Sequence, residues 1–327
     1  MSESVLITGA SGFLGYHIIL AALDKNLEVY AAVRKNSQID HLKGLAVKYV
    51  YLNYEDVDAL GKVLEDNTFN YIIHAAGVTK AVKQEDYNHV NATYSVNLAK
   101  AVNMKGNYFK KMVFISSLAA AGPSADDVTI ITEQANPRPV TAYGRSKLLA
   151  ENELSKVAIP LTILRPTAIY GPRDKDIFII LKTVSKGFDL YIGKFLQQLS
   201  FVHARDVADV AVQALFLNES GIYNIADGNS YNRYQFADTT KKILNKKAVR
   251  FHIAMPLIKV LAYFLEITNG WVNKPAVINR EKLHELAAKN WSCDISKAKR
   301  ELNFNPRFNL ENGLRDSIAW YQDNKLL

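Results

Sequence analysis

Apolar residues in the first 170 positions follow two alternating rhythms. Short, nearly continuous apolar runs at Val5 to Thr8, Val29 to Val33, Lys48 to Leu52, Tyr71 to Ala75, Met112 to Ser116 and Thr162 to Arg165 predict strands covered on both faces. Between them, Leu14 to Lys25, Asp56 to Glu65, Val90 to Val102 and Tyr143 to Val157 place apolar residues at helical spacing and are long enough to be crossover helices. Strand, helix, strand in repetition predicts an α/β fold, a doubly wound parallel sheet.

After Pro172 the rhythm breaks. Helical patterns at Ile177 to Lys186 and Ala204 to Leu217 precede a strand at Ile222 to Ile225, and irregularly connected helical patterns follow. The expected division is a domain over 1–172 and a smaller mixed α/β region over 173–327, part of which returns to the main sheet. Leu257 to Ile267 is strongly apolar, with Lys259 and Glu266 inside it. It reads as a core or subunit-interface helix, with a membrane-interface helix or a lid over an apolar pocket as alternatives.

Composition narrows the classes. Of 327 residues, 49% are hydrophobic and 22% charged, enough apolar surface to offset ordering entropy and fold. The single cysteine, Cys293, excludes an internal disulfide framework and leaves no cysteine cluster for zinc, so no metal is expected. Met1 to Ser4 leads into only a short apolar run, and no stretch reaches the roughly 18 apolar residues a bilayer span requires. A cytoplasmic protein without integral membrane association is expected. The net charge of +8 is carried by short groups such as Lys110-Lys111, Lys241-Lys242 and Lys246-Lys247, without a long basic run. That scatter reads as solvated surface, and nucleic acid is not an expected partner.

Thr8-Gly9-Ala10-Ser11-Gly12-Phe13-Leu14-Gly15 follows the first strand and opens the first helix. Gly9 suits a tight turn, Gly12 lets backbone approach a pyrophosphate, and Gly15 lets helix and strand pack closely, with phosphates at the positive helix end. This is a dinucleotide cradle, and the first domain is accordingly a Rossmann fold. At the end of the second strand stand Arg34 and Lys35, with no acid before Asp40. An acid there would bind the ribose 2′-hydroxyl of NAD, whereas a guanidinium pairs a 2′-phosphate, so NADP is expected over NAD.

Tyr143 and Lys147 lie four apart at the start of a helical stretch, hence on one face, where a lysine cation favours a tyrosinate. A second such pair, Tyr321 and Lys325, reads as chance. Upstream, the fifth strand ends in Ser116-Ser117-Leu118-Ala119, where a hydroxyl can reach the ligand crevice.

The glycine spacing, the Tyr-x-x-x-Lys pair, His74-Ala75-Ala76-Gly77, Asn91, Arg165-Pro166-Thr167-Ala168-Ile169-Tyr170-Gly171-Pro172, Phe201-Val202-His203 and the tail Asn312 to Tyr321 together resemble the extended short-chain dehydrogenase/reductases, also called the NAD-dependent epimerase/dehydratase family. The resemblance spans nearly the whole chain. It implies Tyr143 as acid/base, Lys147 lowering its pKa and binding the nicotinamide ribose, Ser117 on the reacting oxygen, and Asn91 supporting the relay or the cofactor. The implied cofactor contacts are Gly9, Ser11, Gly12, Phe13, Leu14, Gly15, Arg34, Lys35, Asn53, Ala75, Ala76, Gly77, Ser116, Tyr143, Lys147, Pro166, Thr167 and Ile169. A homodimer through the helices containing Asn91 to Val102 and Tyr143 to Val157 is expected by the same resemblance.

Departures from the family pattern bear on substrate. Leu118 and Ala119 stand where 4,6-dehydratases carry Asp-Glu, which argues against that elimination. Ala168 and Leu199 stand where many sugar-nucleotide epimerases place Asn and Arg on a diphosphate, with Lys194 and Arg173 as remaining cations. Phe195, Leu196 and Leu199 suit a less polar ligand, and Val33-Arg34-Lys35 resembles the dihydroflavonol-reductase-like and 3β-hydroxysteroid-dehydrogenase-like branches. The leading expectation is an NADP(H)-dependent oxidoreductase acting on a small molecule. A nucleoside-diphosphate-sugar epimerase and a non-catalytic NADP-binding member are the alternatives.

Overall fold

The computed structural model describes residues 3–105, 108–260 and 280–327. Thirteen strands are present among these: β1 (Ser4–Thr8), β2 (Glu28–Ala32), β3 (Val47–Val50), β4 (Tyr71–His74), β5 (Lys111–Ile115), β6 (Leu161–Pro166), β7 (Ala168–Tyr170), β8 (Phe188–Ile192), β9 (Gln198–Leu199), β10 (Phe201–His203), β11 (Gly221–Ile225), β12 (Tyr231–Asn232) and β13 (Val249–Ile253). Seven of them build a parallel sheet in the order β11-β6-β5-β4-β1-β2-β3. The helices are α1 (Phe13–Asp24), α2 (Val57–Asn67), α3 (Gln84–Asn88), α4 (Tyr94–Lys105), α5 (Ala142–Leu154), α6 (Phe178–Ser185), α7 (Ala204–Gln213), α8 (Gln235–Leu244), α9 (Arg280–Ala287), α10 (Ser296–Glu301) and α11 (Leu310–Asp323).

Successive side chains on a strand point to opposite faces, and here both faces are apolar. On β1, Val5 and Ile7 enter one core while Leu6 enters the other; on β5, Val113 and Ile115 oppose Met112 and Phe114. This explains the continuous apolar runs. The edge strand β3 departs from the expectation, because Lys48 and Tyr49 are exposed: with only β2 as neighbour, less of it is covered. In the second half, β11 joins the sheet beside β6. A third cluster, around Tyr170, Phe201, Phe236 and Leu314, fills the C-terminal lobe. The small strands of that lobe gave no readable alternation because several are only two or three residues long.

Tyr321 belongs to the same cluster and donates to the carbonyls of Gly171 (3.1 Å) and Asp174 (2.6 Å), so its role is structural. Of the apolar stretch from Leu257, residues 257–260 are helical, and 261–267 lie outside the described residues.

Candidate active site

The glycine loop is built by exclusion. Gly9 has φ +67°, a conformation side chains disfavour, and a Cβ there would lie 2.6 Å from the Ala75 carbonyl oxygen. At Gly15 a Cβ would fall 2.2 Å from the Gly9 carbonyl oxygen, so only glycine lets α1 start this close to β1. Gly12 is the N-cap of α1, and neither a side-chain cap nor an acidic residue occupies the first turn. The positive end of that helix therefore faces Ser11, Gly12, Phe13 and Leu14 without an internal counter-charge.

The loop after β4 forms the opposite wall. Ala75 and Ala76 are partly exposed and Gly77 is exposed. A Cβ on Gly77 would meet Asn91 Oδ1 at 2.9 Å and Lys147 Nζ at 3.5 Å, so bare backbone is required there. Below it, Ala76 N–H donates to Thr8 Oγ1 (3.1 Å), which pairs with His74 Nδ1 (2.7 Å). Asn91 is fully buried; its Oδ1 accepts from Val78 N–H (2.8 Å), and its Nδ2 donates to the Val78 carbonyl (3.0 Å) and to Ser146 Oγ (2.9 Å). Both amide protons are thus spent, and Asn91 clamps the loop after β4 to α5.

Thr141 caps α5 by accepting from Gly144 N–H (3.0 Å), which starts the helix one residue before Tyr143. A Cβ on Gly144 would fall 2.3 Å from the Ala119 carbonyl oxygen, so glycine lets α5 lie against the Ser117 turn. The Ser117 hydroxyl accepts from Ala119 N–H (3.1 Å) and is hydrogen-bonded to the Tyr143 phenol. Burial pushes that phenol up to about 12; the Ser117 bond opposes this shift and the charge of Glu285 adds to it. Lys147 is buried, donates to the Ile115 carbonyl (2.9 Å) and sits 4.7 Å from the Phe114 ring; burial lowers its pKa to about 8. The sequence predicts that Lys147 lowers the phenol pKa, whereas here desolvation outweighs every favourable contact of Tyr143.

The two serines differ. Ser116 is buried and donates to Glu151, whose carboxylate also holds Arg165 through Nε (3.0 Å) and Nη2 (2.5 Å), while Ser117 faces Tyr143. From the end of β6 into β7, Pro166, Thr167 and Ile169 follow in turn, and Thr167 Oγ1 is buried with no partner among the described residues. Arg34, Lys35 and Asn53 are exposed, and the next acid, Asp40, is taken by Lys43 at 2.6 Å. The cleft thus fits a dinucleotide: glycine-bare walls, a helix terminus without an acidic first turn, and a buried hydroxyl without a partner among the described residues.

Two site residues escaped the sequence reading. Glu281 on α9 accepts the backbone N–H of Ala142 and pairs with Arg145, and Glu285, one turn on, bears on Tyr143. No local signal marks them, because their partners lie far upstream. Conversely, Leu196 is exposed to solvent, Phe195 lies 4.2 Å under the Arg233 guanidinium, and Leu199 packs on the cluster of Tyr170 and Phe201.

A family model for the NAD-dependent epimerase/dehydratase family matches residues 5–226. The chain belongs to that family. It is an NAD(P)-dependent enzyme of the extended short-chain dehydrogenase/reductase superfamily. Among curated relatives it is 24% identical over 320 residues to the ceramide reductase of Caulobacter vibrioides, covering 97% of this chain and 94% of that one. It is 25% identical over 340 residues to the UDP-glucose 4-epimerase of Vibrio cholerae, covering 99% and 97%. The UDP-glucose 4-epimerase of Thermotoga maritima, solved with UDP-glucose, shares the fold at a TM-score of 0.80 and 19% identity, covering 98% and 99%. Among the described residues no helix is long and apolar enough to cross a membrane.

Proposed function

We propose that this family member interconverts a carbonyl and a secondary alcohol on a small molecule with net turnover of NADP(H). The observation that carries this reading is Leu199, partly buried against the Tyr170 and Phe201 cluster at the position where the family resemblance puts a diphosphate-binding arginine in many epimerases. Ala168 likewise offers only a methyl group. A diphosphate at these positions would lose water without gaining a compensating charge.

In this reading Tyr143 gives its proton to the carbonyl oxygen and takes one back in the reverse direction. A phenol held near 12 is protonated at neutral pH and ready to donate. Ser117 holds the same oxygen, and Asn91 positions the loop and helix on either side. Lys147, fixed by the Ile115 carbonyl, presents its ammonium to the ribose and supplies positive charge as the phenolate forms. The glycine loop with Ser11, Phe13 and Leu14 would hold the pyrophosphate, and Arg34 and Lys35 the 2′-phosphate. Asn53, Ala75, Ala76 and Gly77 would line the adenosine and ribose path, with Thr167, Pro166 and Ile169 against the nicotinamide. The bound dinucleotide supplies or accepts the hydride.

The second reading is a sugar-nucleotide epimerase. Arg233 supports it: this buried guanidinium donates to the carbonyls of Ile192 (2.9 Å) and Phe195 (3.2 Å), yet its Nε has no partner among the described residues and could take a phosphate oxygen. Purified protein with NADPH and a panel of ketones and aldehydes separates the two. Stoichiometric loss of NADPH absorbance supports the oxidoreductase; conversion of a sugar nucleotide with no net cofactor change overturns it. Tyr143→Phe is expected to lower turnover by about 10³-fold with dinucleotide binding retained.

A further inference from the structure

Strands β8 and β13 form a two-stranded parallel ribbon away from the main sheet, in register Val249 with Phe188, Phe251 with Leu190 and Ile253 with Ile192. The inner face is polar and occupied: Asp189 pairs with Arg250 (2.9 Å) and Lys241 (3.0 Å), and Tyr191 stacks on His252. By the two-residue alternation, Phe188, Leu190, Val249 and Phe251 share the outer face, and they are 46–61% exposed. The Phe188 and Phe251 rings lie 6.4 Å apart on it. At one end this face continues through Ile192 and Ile253 into Ile258 and Leu283, and the next helical turn exposes Leu257 and Val260.

The rim of this apolar face is cationic. Residues 186–194 and 245–260 hold five exposed lysines, Lys186, Lys194, Lys246, Lys247 and Lys259, while Arg250 and the buried Asp189 are paired on the inner face. Folding brings lysines together that are scattered in the sequence. Val249 N–H donates to the Gly187 carbonyl, which sets Lys186 beside Lys247 at one end. At the other, Gly193 N–H donates to the Ile253 carbonyl, which sets Lys194 at the end of β13, six residues before Lys259. All five lysines are exposed.

We propose that this face docks on an anionic lipid surface, with Phe188, Leu190, Val249 and Phe251 entering the headgroup boundary and the lysine rim pairing with lipid phosphates. Half-exposed phenylalanines ringed by lysines match what an anionic bilayer presents, since apolar burial and surface potential then act together. A second copy fits poorly, because a symmetric contact would press one cation ring against its twin. The face also connects to the site: α9 turns Leu283 into this cluster and Glu281 onto the catalytic helix. The docking does not depend on which reaction the enzyme performs.

Vesicle sedimentation of the full chain tests it without turnover. Binding to phosphatidylcholine vesicles containing phosphatidylglycerol is expected to exceed binding to phosphatidylcholine alone by at least about tenfold and to fall with added salt. Two variants, Phe188→Ser with Phe251→Ser and Lys246→Glu with Lys247→Glu, are each expected to weaken it by about tenfold or more while leaving the melting curve unchanged. Failure to sediment with the anionic vesicles overturns the proposal, as does undiminished binding of both variants. A solution dimer that the phenylalanine variant dissolves would assign the face to a second copy and also overturn it.

Discussion

Glu281 accepts the backbone N–H of Ala142, at the first turn of the helix that carries Tyr143 and Lys147, and the same carboxylate pairs with Arg145. The distant helix α9 thus helps hold the start of α5 through a helix-terminus contact of a kind usually made locally. Glu281→Ala is expected to cost about 1 kcal/mol of stability and to lower kcat more than it raises KM, as the helix start loosens. Glu281→Gln keeps an acceptor oxygen and is expected to restore most of the kcat. Steady-state kinetics beside denaturant titration check this, and a kcat unchanged in the alanine variant would sink it.

Arg165 and Glu151 form a two-pronged ion pair with both side chains almost wholly buried, and Ser116 adds a third bond to the carboxylate. Arg165 Nη1 has no partner among the described residues, so the cation is already incompletely satisfied. Glu151→Ala is expected to destabilise the protein by about 3–5 kcal/mol, because it strands that charge in the core. The double variant Glu151→Met with Arg165→Met is expected to recover much of the loss in urea unfolding. If the double variant is as unstable as the single one, the stranded charge is not the cause.

His74 is wedged between Thr8 Oγ1 (2.7 Å) and Ser95 Oγ (2.8 Å), and Ser95 in turn donates to the Asn91 carbonyl (2.8 Å). That network assigns the proton to Nε2 and leaves Nδ1 as an acceptor. Burial lowers the pKa to about 3, below the ordinary value near 6.5. Between these values the unfolded chain binds the extra proton, so stability present above pH 6.5 is lost as pH falls toward 3, on the order of 5 kcal/mol in all. His74→Gln is expected to flatten that part of the stability profile, measured by urea titration at successive pH values. An unchanged slope would assign the acid loss to other groups.

Arg34 stands exposed just beyond β2, and Asp40, the next acid along the chain, is paired with Lys43. Arg34→Ala is expected to weaken NADP binding by about 10- to 100-fold, the loss of one charge-assisted contact, with NAD affected about twofold or less. Calorimetric titration of both dinucleotides reads the difference. Equal weakening would count against a 2′-phosphate contact.

Much of the fold, and the placing of the candidate site's glycines, Tyr143 and Lys147 on its elements, was legible in the sequence because the signals are local. Burial on two faces writes continuous apolar runs at β1, β2, β4, β5 and β6, and a helix that starts against a strand writes its need for glycine at Gly9 and Gly15. The spacing of Tyr143 and Lys147 on one helix is likewise local, and so is the bare cationic end of β2 at Arg34 and Lys35. Tertiary structure alone decided what those side chains meet: desolvation holding the Tyr143 phenol high, Asn91 used up as a clamp, Ser116 drawn down to Glu151 while Ser117 stays at the phenol. It also brought Glu281 to the start of α5 and paired β8 with β13 across the stretch of chain from Ile192 to Val249. Periodicity records only whether a residue is covered, whereas charge, hydrogen bonding and burial depend on partners that chain topology brings from far along the sequence.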